Sequence, residues 1–267
     1  MDNDHEEFSG KTAVVTGAST GIGFGLSKRL LERGANVWLC SRTPANVEAA
    51  QIKLNEFKGR AHFDVIDVRD AEQVSNYLNS IAKQGRIDYL FNNAGVGYKG
   101  VFTDATPEMW EFVMSANLYG VVNGMTAAVP IMLRQGGGQI INIISGTAFM
   151  PMAQWSPYAT TKAALNALTV AVRSEYWDDN IKISSATPGT TATNIFGDKK
   201  PAEGSMQTPQ QSATRILKGV VNNDRIIYGD DADVRGSRNC FAYRAQKGQD
   251  AYLLRVARER RKGITAI

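Results

Sequence analysis

The run Ile140-Ile141-Asn142-Ile143-Ile144 presents apolar side chains to both faces of an extended chain. A strand of that kind must be covered on both sides, as in a parallel sheet flanked by helices. Similar short β-rich runs stand at 12–16, 36–40, 61–65, 89–91, 139–144, 181–186 and 225–228, with longer amphipathic segments between them. The alternation predicts βαβ units. With 267 residues, 43% of them hydrophobic, one α/β core is expected: a single-domain Rossmann fold with a doubly wound parallel sheet of about seven strands and helices on both faces.

Local signals place several boundaries. A helix over 21–33 ends at Gly34, a good C-cap, and Thr106 is placed to cap a helix opened by Pro107. A flexible terminus is expected over 1–9. The segment 190–209 is polar, contains glycine and proline, and is longer than most loops, so it reads as a substrate loop or lid. Residues 230–267 form a C-terminal extension.

Thirty Lys and Arg against 26 Asp and Glu leave a net charge of +4, which suits an anionic ligand without marking a nucleic-acid binder. Cys40 and Cys240 are far apart and match neither a disulfide framework nor a zinc site, so no metal and a reducing cytoplasm are expected. The acidic N-terminus is unlike a signal peptide, and the apolar stretch 118–133 is interrupted by Gly120, Asn123, Gly124 and Pro130, so no membrane span is expected. His5 and His62 are the only histidines, too few for a Ser-His-Asp hydrolase or a histidine-rich metal site.

The first run leads directly into Thr16-Gly17-Ala18-Ser19-Thr20-Gly21-Ile22-Gly23 and then a helical pattern. In a strand–turn–helix context Gly17 permits the tight turn, Gly21 lets a pyrophosphate approach the backbone, and Gly23 allows close helix–strand packing. Glycines also end strands for purely structural reasons. No Lys-Ser or Lys-Thr follows, so this is not a nucleoside-triphosphate loop. Tyr158 and Lys162 stand four residues apart at a helix start, on one face. A nearby ammonium favours the phenolate and lowers the ordinary tyrosine pKa of ~10. Taken alone, the pair reads more readily as a decorated helix surface.

These motifs together resemble the short-chain dehydrogenase/reductase family over about residues 10–230. The glycine turn fits its T-G-x-x-x-G-x-G pattern, Asn92-Asn93-Ala94-Gly95 its N-N-A-G, and Pro188-Gly189 with Thr193 its P-G-x-x-x-T. Asn117, Ser145, Tyr158 and Lys162 fall on its catalytic positions. The resemblance implies that Tyr158 exchanges a proton with the substrate oxygen and that Ser145 hydrogen-bonds that oxygen. It further implies that Lys162 holds the nicotinamide ribose and lowers the pKa of Tyr158, and that Asn117 positions a relay water. The cofactor groove would draw on Gly17, Ser19, Thr20, Gly21, Ile22, Gly23, Asp67 and Val68. It would also draw on Asn93, Ala94, Gly95, Tyr158, Lys162, Pro188, Gly189, Thr191 and Thr193, with Asn92 along the ribose and Asp67 beside the adenine.

At the end of the second strand, NAD-binding members carry an acid where this chain has Ser41, followed by Arg42 and Thr43. A guanidinium flanked by hydroxyls suits a 2′-phosphate, so NADP(H) is expected. Phe149, Met150, Met152, Trp155, Ile195, Phe196 and Met206, with Tyr98, could line an apolar pocket around Ser145 and Tyr158, or could equally be packing. A hydrophobic alcohol or ketone, steroid-like or lipid-like, is the expected substrate. The basic helix over 252–262 reads as a solvated face with its apolar side on the domain. Its alternatives are subunit contact, an anionic membrane surface or an acidic carrier protein. The rival functions are a ketoreductase of carrier-bound chains and a non-catalytic NADP-binding regulator. The resemblance also implies a homodimer or homotetramer.

Overall fold

The computed structural model describes residues 7–193, 195 and 206–264. Seven parallel strands form one sheet in the order β3-β2-β1-β4-β5-β6-β7: β1 Thr12–Thr16, β2 Asn36–Ser41, β3 Ala61–Val65, β4 Tyr89–Asn92, β5 Gly138–Ile143, β6 Ile181–Thr187 and β7 Ile226–Tyr228. The order reverses between β1 and β4, which opens a crevice at the C-terminal strand ends.

Two apolar clusters cover the two faces. On one, Leu26, Leu30 and Leu31 of α1 (Gly21–Glu32) meet Ala213, Ile216 and Leu217 of α7 (Pro209–Val221), with Phe8 beside them. On the other, Leu78 and Ile81 of α3 (Ala71–Ala82) pack with Met125 and Met132 of α5 (Gly120–Arg134) and Leu165 of α6 (Ser156–Glu175). The remaining helices are α2 Pro44–Lys53, α4 Pro107–Met114, α8 Asp231–Asn239 and α9 Gln246–Arg261. The expected caps form: Gly34 adopts φ +86°, and the Thr106 hydroxyl accepts from Met109 N at 3.3 Å.

The apolar stretch whose glycines and Pro130 argue against a membrane span lies within one continuous helix, Pro107–Arg134. It passes from α4 through a π-turn, Ser115–Tyr119, into α5. Its glycines serve close packing: a side chain at Gly124 would collide with Asn92 Oδ1. By length and composition this helix could cross a membrane, but just over half of its apolar window is buried within the fold.

Candidate active site

The glycine turn is fixed from both sides. Gly17 and Gly21 adopt φ +62° and +54°, where an L side chain is strained. A Cβ at Gly17 would lie 2.7 Å from Ala94 Cα, and one at Gly23 would strike the Gly17 carbonyl. The Asn93 amide donates to Thr16 O at 2.9 Å and Gly17 O at 3.1 Å, while Thr16 Oγ1 accepts from the backbone N–H groups of Asn93 and Ala94. Asn93 thus braces the turn. Helix α1 has no acidic residue in its first turn, and the Thr20 side chain makes no capping hydrogen bond. Its first amides and the positive end of its dipole remain available to an anion.

A groove of about 520 Å³ runs from this turn across the strand ends. Of the expected cofactor residues it gathers Gly17, Ser19, Thr20, Gly21, Ile22, Ser41, Arg42, Thr43, Asp67, Val68, Asn93, Ala94, Gly95 and Thr193. Ser19 Oγ donates to Ser41 Oγ at 2.8 Å, bringing two hydroxyls together beside Arg42. Asp67 is engaged by Arg69, whose guanidinium bonds both carboxylate oxygens and holds the carboxyl below its usual range. Arg42 and Arg69 both lie over the Phe112 ring, at 6.0 and 5.8 Å. Arg69, Asn46 and Ile66 also line the groove and were missed in the sequence. Only their neighbourhood to Asp67 and Arg42 could have signalled them.

Other expected residues take different places. Asn92 does not reach the groove: it is buried and donates to Asn142 Oδ1 at 2.9 Å, and Asn142 donates in turn to Thr169 Oγ1. As the last residue of β4, its side chain points into the sheet–helix layer. Thr191 is buried, with its hydroxyl on the Pro188 carbonyl at 2.9 Å, an oxygen that Gln207 and Ser212 also reach. These bonds tie both ends of the 190–209 loop to the Pro188-Gly189 turn. The loop's centre, including Phe196, lies outside the described residues.

At Gly95 the groove comes up against Asn117 and Lys162, two of the four residues expected to carry the chemistry. A Cβ at Gly95 would lie 3.0 Å from Asn117 Oδ1 and 3.7 Å from Lys162 Nζ. Asn117 sits in the π-turn, fully buried. Its Oδ1 accepts from Val96 N at 2.7 Å, and its Nδ2 donates to Val96 O at 2.9 Å and Thr161 Oγ1 at 3.3 Å. The Asn117 side chain is therefore held as a clamp on Val96. Ser145, just past β5, accepts from Thr147 N at 3.2 Å through its hydroxyl, which also acts on the Tyr158 phenol. Tyr158 and Lys162 are 6% and 4% exposed, so the pair is not a decorated surface. Lys162 donates to Ile143 O at 2.8 Å, and its ammonium lies 5.7 Å from the Tyr158 ring centroid.

Burial pushes the Tyr158 hydroxyl up to about 12; the Ser145 hydroxyl lowers it and the Asp233 carboxylate raises it. Burial alone pushes Lys162 down to about 8. The group that favours the Tyr158 phenolate is thus Ser145, while the Lys162 ammonium is directed at a backbone carbonyl.

Of the expected apolar wall, Trp155 stands edge-on to Tyr158 with ring centroids 5.2 Å apart. Phe149 is instead taken up by the core beside Tyr228, and Met150 faces Gly236 of α8. Ile195 packs at Gly97 on the cofactor groove. Met206 lines a separate hollow with Arg29 and Gln211, and Tyr98 folds over Gly100. The basic helix α9 buries Val256 and turns Arg260 inward, to Ala153 O at 2.7 Å and over the Trp155 ring at 5.7 Å.

Comparison with known proteins places the chain. Residues 11–204 match the family model described as short chain dehydrogenase. An oxidoreductase of Staphylococcus epidermidis is 32% identical over 199 residues, 72% of this chain and 85% of that protein. A 3alpha-hydroxysteroid dehydrogenase of Mediterraneibacter gnavus is 33% identical over 188 residues, 69% of this chain and 75% of that one. A short chain dehydrogenase/reductase of Burkholderia phymatum, solved in complex with NAD, superposes with a TM-score of 0.82 at 21% identity, covering 91% of this chain and 96% of that one.

Proposed function

Because this chain belongs to the short-chain dehydrogenase family, an oxidoreductase family that binds a nicotinamide cofactor, we propose that it interconverts a secondary alcohol and a ketone with NADP(H). The observation that carries the reading is the burial of Tyr158 and Lys162 together beside Ser145, whose hydroxyl lowers the pKa of the Tyr158 phenol. The glycine turn and the uncapped α1 terminus suit the pyrophosphate. Asn93, Ala94 and Gly95 carry the groove toward Lys162, which would hold the nicotinamide ribose. Bound there, the nicotinamide supplies or accepts a hydride at the substrate carbon.

In reduction, Tyr158 gives its hydroxyl proton to the carbonyl oxygen, and Ser145 donates a hydrogen bond that steadies charge developing on that oxygen. Oxidation reverses both steps. Tyr158→Phe should lower kcat by at least about a hundredfold with cofactor binding intact; turnover within a few-fold of wild type rejects the assignment.

The choice of NADP(H) rests on the end of β2, where Ser41, Arg42 and Thr43 offer hydroxyls and a guanidinium and no carboxylate. A 2′-phosphate pairs bidentately with such an arginine. Arg42→Ala should raise the KM for NADPH at least about tenfold more than that for NADH, and equal effects would reject it. The substrate's hydrophobic body would rest against Trp155. Assembly into a dimer or tetramer through the long helices is part of the same reading, with Met109, Phe112 and Tyr119 exposed on the first of them.

A further inference from the structure

One ionisable group beside Tyr158 has no part in the mechanism above. Asp233 lies in the first turn of α8, which packs against the short helical turn Gly146–Ala148 directly after Ser145. The approach is close enough that a side chain at Gly146 would collide with Asp233 Oδ1. The carboxylate therefore stands at the backbone of the residue that follows the catalytic serine. Its Oδ2 is buried and short of a well-formed hydrogen bond, the Thr187 hydroxyl and the Gly189 N–H being the donors that face the carboxyl.

The local role open to an acidic residue here is already filled. Asp230 is the N-cap of α8, accepting from Asp233 N at 2.8 Å through Oδ1 and from Thr190 N at 2.8 Å through Oδ2. Asp233 is thus not needed to cap its helix. A buried acceptor whose donors are poorly placed is destabilising in the free protein. Such groups persist where a ligand completes them. The phenol of Tyr158 feels the Asp233 charge, which places the two in one electrostatic environment.

We propose that Asp233 is a specificity residue of this site: its carboxylate accepts a hydrogen bond from a second hydroxyl or an ammonium group carried near the reacting carbon. The substrates are then diols, hydroxy ketones or amino alcohols with a hydrophobic body, rather than alcohols with a single polar group. This rests on the reading of Ser145 and Tyr158 as the groups that hold the reacting oxygen. Ser145 and Tyr158 take one oxygen, Asp233 takes the neighbouring donor, and Trp155 takes the ring or chain. Burial holds the Asp233 carboxyl up at about 6, with the Thr187 hydroxyl and Gly189 N–H lowering it and Asp230 raising it. The carboxylate is the majority form at pH 8, and an anionic acceptor discriminates strongly against a ligand that lacks the donor.

The test uses the full chain with saturating NADP⁺ at pH 8 and two matched sets: 1-indanol, indane-1,2-diol and 2-amino-1-indanol, and the corresponding cyclohexane compounds. In wild type, kcat/KM for the diol or the amino alcohol should exceed that of the mono-alcohol by at least about tenfold. The ratio should fall to within about threefold in Asp233→Leu. In Asp233→Asn, whose amide oxygen still accepts, the preference for the hydroxyl should partly survive and that for the ammonium should vanish. Asp233→Asn, nearly isosteric, decides the matter if Asp233→Leu does not fold.

Calorimetric titration of the same compounds into NADP⁺-loaded enzyme reads the preference without turnover. Tighter binding of a donor-bearing compound that is lost in the variants supports the role of Asp233 even where no oxidation occurs, and the failure then belongs to the alcohol-oxidation reading. Oxidation of all three compounds of each set without preference overturns the role of Asp233 and leaves that reading standing. Neither preference in rate nor preference in binding also overturns it, as does a preference kept in both variants.

Discussion

Asn117→Ala separates two roles that one buried amide could play. Its side chain makes three hydrogen bonds, two of them to the N–H and C=O of Val96. Each is worth about 0.5–1.5 kcal/mol net, and more where a buried partner is left unpaired. Val96 is only half-buried, so water can replace part of the loss, and a stability decrease of about 2–3 kcal/mol follows. Because Gly95 and Val96 line the cofactor groove, release of the clamp should also weaken NADPH binding by about tenfold, equivalent to ~1.4 kcal/mol. Urea denaturation followed by fluorescence, with an unchanged m-value, gives the first quantity, and NADPH titration gives the second. If stability falls by less than about 0.5 kcal/mol and NADPH binds as before while kcat collapses, the clamp is not what Asn117 supplies, and the reasoning fails.

Two further outcomes follow from the same geometry. Lys162 is buried and its ammonium is held at about 8, below the usual 10.5, so the folded state binds this proton less tightly than the unfolded chain. Its presence then costs up to ~3 kcal/mol below pH 8, and the cost fades as pH rises from about 8 toward 10.5. Lys162→Met should therefore abolish turnover yet raise stability at pH 7, by about 1–2 kcal/mol after the lost bond to Ile143 O is counted. Thermal melts should show that advantage shrinking above pH 8, and a constant or growing difference would contradict the account. Arg260→Ala removes the bond to Ala153 O and the cation from the Trp155 ring. It should raise the substrate KM several-fold with NADPH affinity unchanged, and a matched loss in both would place α9 outside the substrate side.

What was legible in the sequence is what local patterns dictate. The period and composition of 12–16 and 61–65 return β1 and β3 to the residue. The glycine turn, Ser41 and Arg42 also stand where strand ends must deliver them. Adjacent asparagines were not separable in this way. Asn92 and Asn93 carry the same side chain, but the alternation of β4 turns the first inward to Asn142, and the second, one residue past the strand, braces Gly17. The π-turn has no composition signal, because an extra residue in a helix is set by what the helix must pack against. Here that turn buries Asn117 beside Val96 and Thr161.

Asp233 was hidden for a further reason: Asp230 and Asp233 at a helix start satisfy a capping pattern, so the local signal accounts for both without invoking anything distant. Only the packing of α8 against Gly146 shows that a single carboxylate, Asp230, does the capping and the other is left over. A residue whose type is required by its own neighbourhood says little about function. One whose local role is already filled, and which is nevertheless buried against Gly146, is held there at a cost that the proposed ligand contact would offset. On the proposed reading, the chemistry assigned to Ser145, Tyr158 and Lys162 lies within the family model's match at residues 11–204, and the proposed choice of substrate comes from α8, beyond that match.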